Sequence, residues 1–231
     1  MIDKIISFGD SFTYGTDLSD SDQEKYSTRT WPALVAQALD LEYECHARGG
    51  VGNRFISDNT IAYSNHTSLS IVNWTWIDRF DYIEFVDEGV NHIRTLRPSD
   101  TSPAAEFYYK NLHDQQTDKF QTLSLAWSTI NWLRHQKIPY VMTILDQLLL
   151  EDEWGVAKDT RYKRPAISNL QECVSRDLSW FPENQTFLEW SRDNNYPESD
   201  TWHPLEEAHA RAAEIMLPIV KQKINTYITT T

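Results

Sequence analysis

The chain has 231 residues, enough for one α/β domain with a sizeable core, and 40% of them are hydrophobic. Its 21 Lys and Arg stand against 34 Asp and Glu, a formal charge of -13, which argues against a nucleic-acid backbone or an anionic membrane surface as partner. Two cysteines, Cys45 and Cys173, lack metal-ligand spacing and read as free thiols in a reducing compartment, with a disulfide between them as the alternative.

In chain order, the apolar run Ile5-Ile6-Ser7-Phe8 breaks into Gly9-Asp10-Ser11. It reads as a buried first strand that delivers a serine to the carboxyl edge of a sheet, where open α/β sheets keep their ligand crevices. Residues 13–30 are polar and read as an exposed loop beside that serine, one wall of a pocket. Trp31 to Leu39 reads as a helix with Thr30 as N-cap and Pro32 in its first turn. Tyr43 to Ala47 is a second strand, and Arg48-Gly49-Gly50-Val51-Gly52-Asn53 is the most glycine-dense point of the chain. Glycines there allow positive φ and close approach of backbone to a ligand, or a tight strand-to-helix turn. A short helix follows over residues 54–63.

Ser68 to Thr75 is the third strand. Residues 80–97 suggest a hairpin, an insertion or lid around residues 78–103 ended by Pro98 and Pro103. Two helices then cover 104–116 and 119–135, and Pro139 to Leu145 is a strand apolar enough to be covered on both faces. The trio Glu151-Asp152-Glu153 reads as a solvated loop rather than a metal site, because adjacent carboxylates do not converge easily on one ion. A helix over 166–178 and a short element at 187–190 precede Asp200-Thr201-Trp202-His203-Pro204. Apolar residues from Leu205 to Val220 then recur at helical spacing. Strands alternating with helices imply a parallel sheet, and no repeat or low-complexity segment marks a second domain.

Serine and histidine could work together only if the fold joins the two ends of the chain. Asp200, about one turn before His203, could then orient one imidazole nitrogen while the other takes the Ser11 proton. Asp10 lies too near Ser11 for that task and reads as a structural residue of the turn. The other six histidines lie in no motif and read as surface or satisfied core groups.

Gly9-Asp10-Ser11 near the start and Asp200-x-x-His203-Pro204 near the end together resemble the first and last blocks of the SGNH (GDSL-type) hydrolases. The resemblance implies a three-layer α/β/α sandwich with a central, mostly parallel sheet, flavodoxin-like, over residues 1–231. It implies Ser11, Asp200 and His203 as the catalytic set, and an oxyanion hole drawn from Ser11, Gly50 (or Gly52 in the competing register), Asn73 and Thr75. The family's third block, Gly-x-Asn-Asp, is altered here. Asn73 falls at the glycine and Thr75 at the asparagine, or a shifted register makes Asn73 the donor. The wording of residues 73–80 is similar to a phage-type variant of the family.

Asn53 is expected to add a donor, and Trp74 and Trp202, which flank the blocks, to wall a substrate site. The implied activity is hydrolysis of a small-molecule or glycan ester, foremost a carbohydrate O-acetyl ester, with no cofactor and no metal. The rival is a weakly catalytic SGNH-like binding or structural protein, such as a virion component. No signal segment is visible in the sequence, so a cytoplasmic chain is expected, or a virion-associated one if phage-encoded.

Overall fold

Alternate residues of the strands feed two separate cores. In the computed structural model, which describes residues 2–22, 24–86, 90–151 and 165–230, four parallel strands form the central sheet in the order β2-β1-β3-β6. These are β1 (Lys4–Phe8), β2 (Glu42–Cys45), β3 (Ser68–Trp74) and β6 (Tyr140–Ile144). Ile5, Leu69, Ile71 and Val141 point to one face, and Ile6, Phe8, Val72 and Met142 to the other. β3 is buried along its whole length because neighbours cover both faces.

The first face is closed by α2 (Trp31–Ala38), α7 (Phe187–Asp193) and α8 (Glu206–Thr230), with Trp31, Trp190, Ala212 and Met216 in the core. The second is closed by α3 (Asn53–Tyr63), α5 (Gln115–His135) and α6 (Pro165–Ser175) through Ile56, Leu123, Ile130 and Val174. The result is the expected three-layer α/β/α sandwich. Beyond β6, Leu178 adds a single parallel bridge to Met142.

β4 (Phe80–Val86) and β5 (Val90–Leu96) pair antiparallel, apart from the main sheet. α4 (Pro103–Asn111) ends five residues earlier than the sequence pattern suggests. Asp114 accepts from Thr117 N and starts α5 there, which moves the break to 112–114. α8 begins at Glu206, and Pro204 just before it is held in a bridge to Glu198. The acidic reading of Glu151-Asp152-Glu153 falls largely outside the described residues. Among the described residues, Cys45 and Cys173 are free thiols and no helix is long and apolar enough to cross a membrane.

Candidate active site

Ser11 stands where strand β1 turns into a one-turn helix, α1 (Ser11–Tyr14), at the carboxyl edge of the sheet. The turn is held by Asp10, which is fully buried. Its Oδ1 accepts from Phe12 N at 3.1 Å, and its Oδ2 accepts from Thr75 Oγ1 at 2.6 Å and from Arg79 Nη1 at 3.1 Å. Asp10 is therefore the structural residue expected of it, tied to two elements distant in sequence. A Cβ at Gly9 would collide with the Thr13 side chain, so only glycine allows this exit from the strand. Ser11 Oγ has no hydrogen-bond partner among the described residues.

His203 is carried back to this point by a tight loop. Leu205 N donates to Pro197 O, Ser199 N to His203 O and Trp202 N to Ser199 O, closing residues 197–205 on themselves. The imidazole packs against Phe12, the residue after Ser11, with ring centroids 5.0 Å apart. The structure thus brings Ser11 and His203 to the same edge although 192 positions separate them in sequence.

It does not bring Asp200 to the imidazole. The backbone turn alternates, so that Ser199, Thr201 and His203 share one side while Asp200 and Trp202 face solvent. Among the described residues no hydrogen bond joins Asp200 to His203. The carboxylate at His203 is that of Asp17, whose Oδ2 lies 2.8 Å from Nδ1. The same oxygen accepts from Ser199 Oγ at 2.7 Å and from Thr201 Oγ1. Thr201 Oγ1 is also 2.8 Å from Nδ1. Asp17 adopts the left-handed region at φ 71, two residues after the left-handed Gly15 that ends α1. Hydrogen bonds from the Thr201 hydroxyl foremost, then from the Ser199 hydroxyl and the His203 imidazole, hold its carboxyl below the usual carboxylate range.

The candidate oxyanion donors separate clearly. Gly52 N donates to Asp81 Oδ1 at 3.0 Å, so its N–H is spent inside the fold. Gly50, left-handed at φ 74, has no partner for its N–H among the described residues, and neither has Ser11 N. Gly49, next to it, faces Ser11: a Cβ there would lie 3.9 Å from Ser11 Cβ. Thr75 is also spent, its hydroxyl on Asp10 and its N–H on Asn53 Oδ1 at 2.8 Å. Asn73 accepts from Thr143 Oγ1 at 2.9 Å through Oδ1, which leaves the Nδ2 donor without a partner among the described residues.

Two expected substrate contacts go elsewhere. Trp74 is fully buried in the second core, because it is the last inward-facing residue of β3 and packs under the sheet edge. Asn53 is 3% exposed and donates to Thr75 O and Trp76 O, which makes it a brace between the glycine loop and the end of β3. It borders a cavity of about 460 Å³ lined by Arg79, Asp118 and Gln121, not by Ser11 or His203. Trp202 is the exposed aromatic at the site, 69% accessible beside His203. Among the described residues no three His, Cys, Asp or Glu side chains cluster as metal ligands.

Sequence reading missed Asp17, Arg79 and Asp81. Each acts across the fold, and only Asp17 carried a local signal, its place in the polar loop read as a pocket wall.

No family model matches the sequence, and no curated protein does. Among solved structures the chain is similar to an acetyl xylan esterase from the rumen bacterium Butyrivibrio proteoclasticus, at 15% identity and a TM-score of 0.52. That match covers 96% of this chain and 64% of the esterase. A family two carbohydrate esterase from Clostridium thermocellum, solved as an active site mutant, is similar at 14% identity and a TM-score of 0.51, with 96% and 64% covered. The chain therefore spans just under two thirds of the length of these two enzymes. A member of the lipolytic protein G-D-S-L family from Veillonella parvula is similar at 13% identity and a TM-score of 0.49, with 94% and 97% covered. These likenesses lend the phage-type variant no support. What they share with this chain is architecture, and the fold is the SGNH-hydrolase fold that Gly9-Asp10-Ser11 and Asp200-x-x-His203 implied.

Proposed function

We propose that this protein is a serine ester hydrolase that works through an acyl-enzyme on Ser11, and that carbohydrate O-acetyl esters are its substrate class. The observation that carries the reading is the seating of His203. Its Nδ1 is engaged by hydrogen bonds, its ring lies on Phe12, the residue after Ser11, and Nε2 has no hydrogen-bond partner among the described residues, which leaves it as the basic nitrogen. The sugar ester is supported by the acetyl xylan and carbohydrate esterases that share the fold.

In this mechanism Ser11 Oγ attacks the ester carbonyl carbon while His203 Nε2 takes the hydroxyl proton. The negative oxygen of the tetrahedral intermediate receives hydrogen bonds from Ser11 N, Gly50 N and Asn73 Nδ2. Collapse breaks the bond to the sugar oxygen, and the imidazolium returns its proton to that leaving group. Water then repeats the sequence on the acyl-serine, releasing acetate and restoring both residues. Among the described residues Ser11 Oγ has no hydrogen-bond partner, consistent with catalytic contacts that tighten only in the complex.

The test is labelling with a fluorophosphonate beside turnover of p-nitrophenyl acetate and of acetylated xylan fragments. Wild type is expected to label and turn over, Ser11→Ala to do neither, and His203→Ala to fall by about 10³-fold or more. Equal labelling of wild type and Ser11→Ala would refute the nucleophile. A second reading, a binding module of the same fold, is favoured by the altered third block, where Thr75 is spent on Asp10. Glycan binding with no ester turned over faster than by His203→Ala would decide for it.

A further inference from the structure

We infer that the carboxylate positioning His203 is Asp17, from the loop that follows the nucleophile helix, and not Asp200 of the Asp-x-x-His segment. The inference rests on His203 acting as the base for Ser11.

A carboxylate can only accept, so at 2.8 Å from Asp17 Oδ2 the Nδ1 atom must carry the proton. Thr201 has a single hydroxyl proton and gives it to Asp17, so towards Nδ1 it too can only accept. Both neighbours therefore demand the same tautomer, with the proton on Nδ1 and the lone pair on Nε2. When Nε2 takes a proton from Ser11, the imidazolium forms next to a carboxylate that stays ionised, because three donors converge on its Oδ2.

The geometry of the loop excludes Asp200 from the same task. Ser199, Thr201 and His203 converge on Asp17 because Trp202 takes φ 67 and turns the chain over, and that alternation sends Asp200 outward. The acid has in effect moved from the loop carrying the histidine to the loop carrying the serine. Asp17 lies six residues after Ser11, joined to it by a four-residue helix and the left-handed Gly15. Nucleophile and positioning acid thus belong to one short segment, which the histidine meets at Phe12 and at Asp17.

The experiment compares Asp17→Asn with Asp200→Asn, alongside Ser11→Ala and His203→Ala. An asparagine at 17 can donate its amide to Nδ1 and so hold the proton on Nε2, the wrong tautomer. Asp17→Asn is therefore expected to lower kcat by about 10³- to 10⁴-fold with little change in KM. The acidic limb of its kcat/KM profile moves to lower pH, because the imidazolium loses its counter-charge. Asp17→Glu should recover part of the rate, and Asp200→Asn should stay within about threefold of wild type. A proton spectrum gives a readout independent of turnover: the low-field Nδ1–H resonance persists in Asp200→Asn and vanishes in Asp17→Asn, whose fold is checked by circular dichroism.

Loss of activity in Asp200→Asn equal to that in Asp17→Asn, or a resonance that follows Asp200, overturns the inference. So does an Asp17→Asn enzyme with wild-type rate and profile while Ser11→Ala and His203→Ala are dead. If those two variants are as active as wild type, the hydrolase reading itself has failed, whatever Asp17 does.

Discussion

Thr75 Oγ1 donates to Asp10 Oδ2 at 2.6 Å across 65 positions of sequence, and both groups are buried. That bond fixes the turn before Ser11 to the end of β3, and it removes the threonine hydroxyl from any role toward substrate. Asn73 and Thr75, which are alternatives in sequence, are therefore expected to behave differently. Asn73→Ala should reduce kcat by roughly 10²- to 10³-fold with KM little changed, as loss of one oxyanion donor does. Thr75→Val should instead lower stability by about 1–3 kcal/mol, because a buried carboxylate oxygen loses a donor. Steady-state kinetics and denaturant unfolding of the two variants separate the roles.

Asp81 ties the hairpin to the glycine loop. From β4 it accepts from Gly52 N at 3.0 Å and Phe55 N at 2.9 Å, satisfying the open amides at the start of α3 where its charge also suits the helix dipole. Burial pushes its carboxyl up, and the Thr95 hydroxyl together with the backbone amides at the start of α3 pulls the other way. Asp81→Ala is expected to cost about 1–3 kcal/mol in urea unfolding and to loosen Gly50 two residues away, lowering kcat more than it raises KM.

His209 makes the fold sensitive to acid. It is buried against Phe187 at 4.8 Å, its Nδ1 accepts from Trp31 N at the start of α2, and burial pushes its pKa down to about 3. In the unfolded chain the group titrates near 6.5. The folded value is depressed, so the stability of the neutral form is fully present above about 6.5 and is lost as pH falls towards 3. By pH 5 the loss amounts to about 2 kcal/mol. Urea midpoints for wild type should fall over this window, and His209→Gln, which cannot titrate, should show a flatter slope.

What could be read in advance followed distance along the chain. Buried strands with helices between them announce themselves through local hydrophobic pattern, and Ile5 to Phe8 and Tyr140 to Ile144 lie where their apolar runs fall. Ser11 and His203 are flagged by short motifs, each with its own turn chemistry. Asp17 is not, because nothing local distinguishes it from the other aspartates of residues 13–30, and its part depends on a loop 186 residues away. Gly50 and Gly52 are indistinguishable in sequence for the same reason: the choice between them is made by Asp81 from a separate hairpin. Trp74 misled because period-2 alternation does not say that the last residue of a strand is still covered on its inner face.

Trp202 combines two properties that rarely meet in a structural residue. Its indole is 69% exposed beside His203, with the Arg192 guanidinium 6.0 Å from the ring centre, and its backbone is left-handed at φ 67. That conformation costs a bulky L-residue about 1–2 kcal/mol, and nothing gained by burial offsets it here. An exposed aromatic face at the mouth of the site suits a sugar ring, whose apolar face stacks on aromatic side chains. Trp202→Gly is therefore expected to raise the melting temperature slightly or leave it unchanged, since glycine takes the left-handed backbone without strain. On acetylated xylan fragments it should raise KM by about tenfold, the effect of roughly 1.4 kcal/mol of lost stacking, while kcat stays near wild type. On p-nitrophenyl acetate, which has no sugar ring to stack, the two enzymes should differ little. Equal KM values for the sugar substrate would show that Trp202 does not touch it.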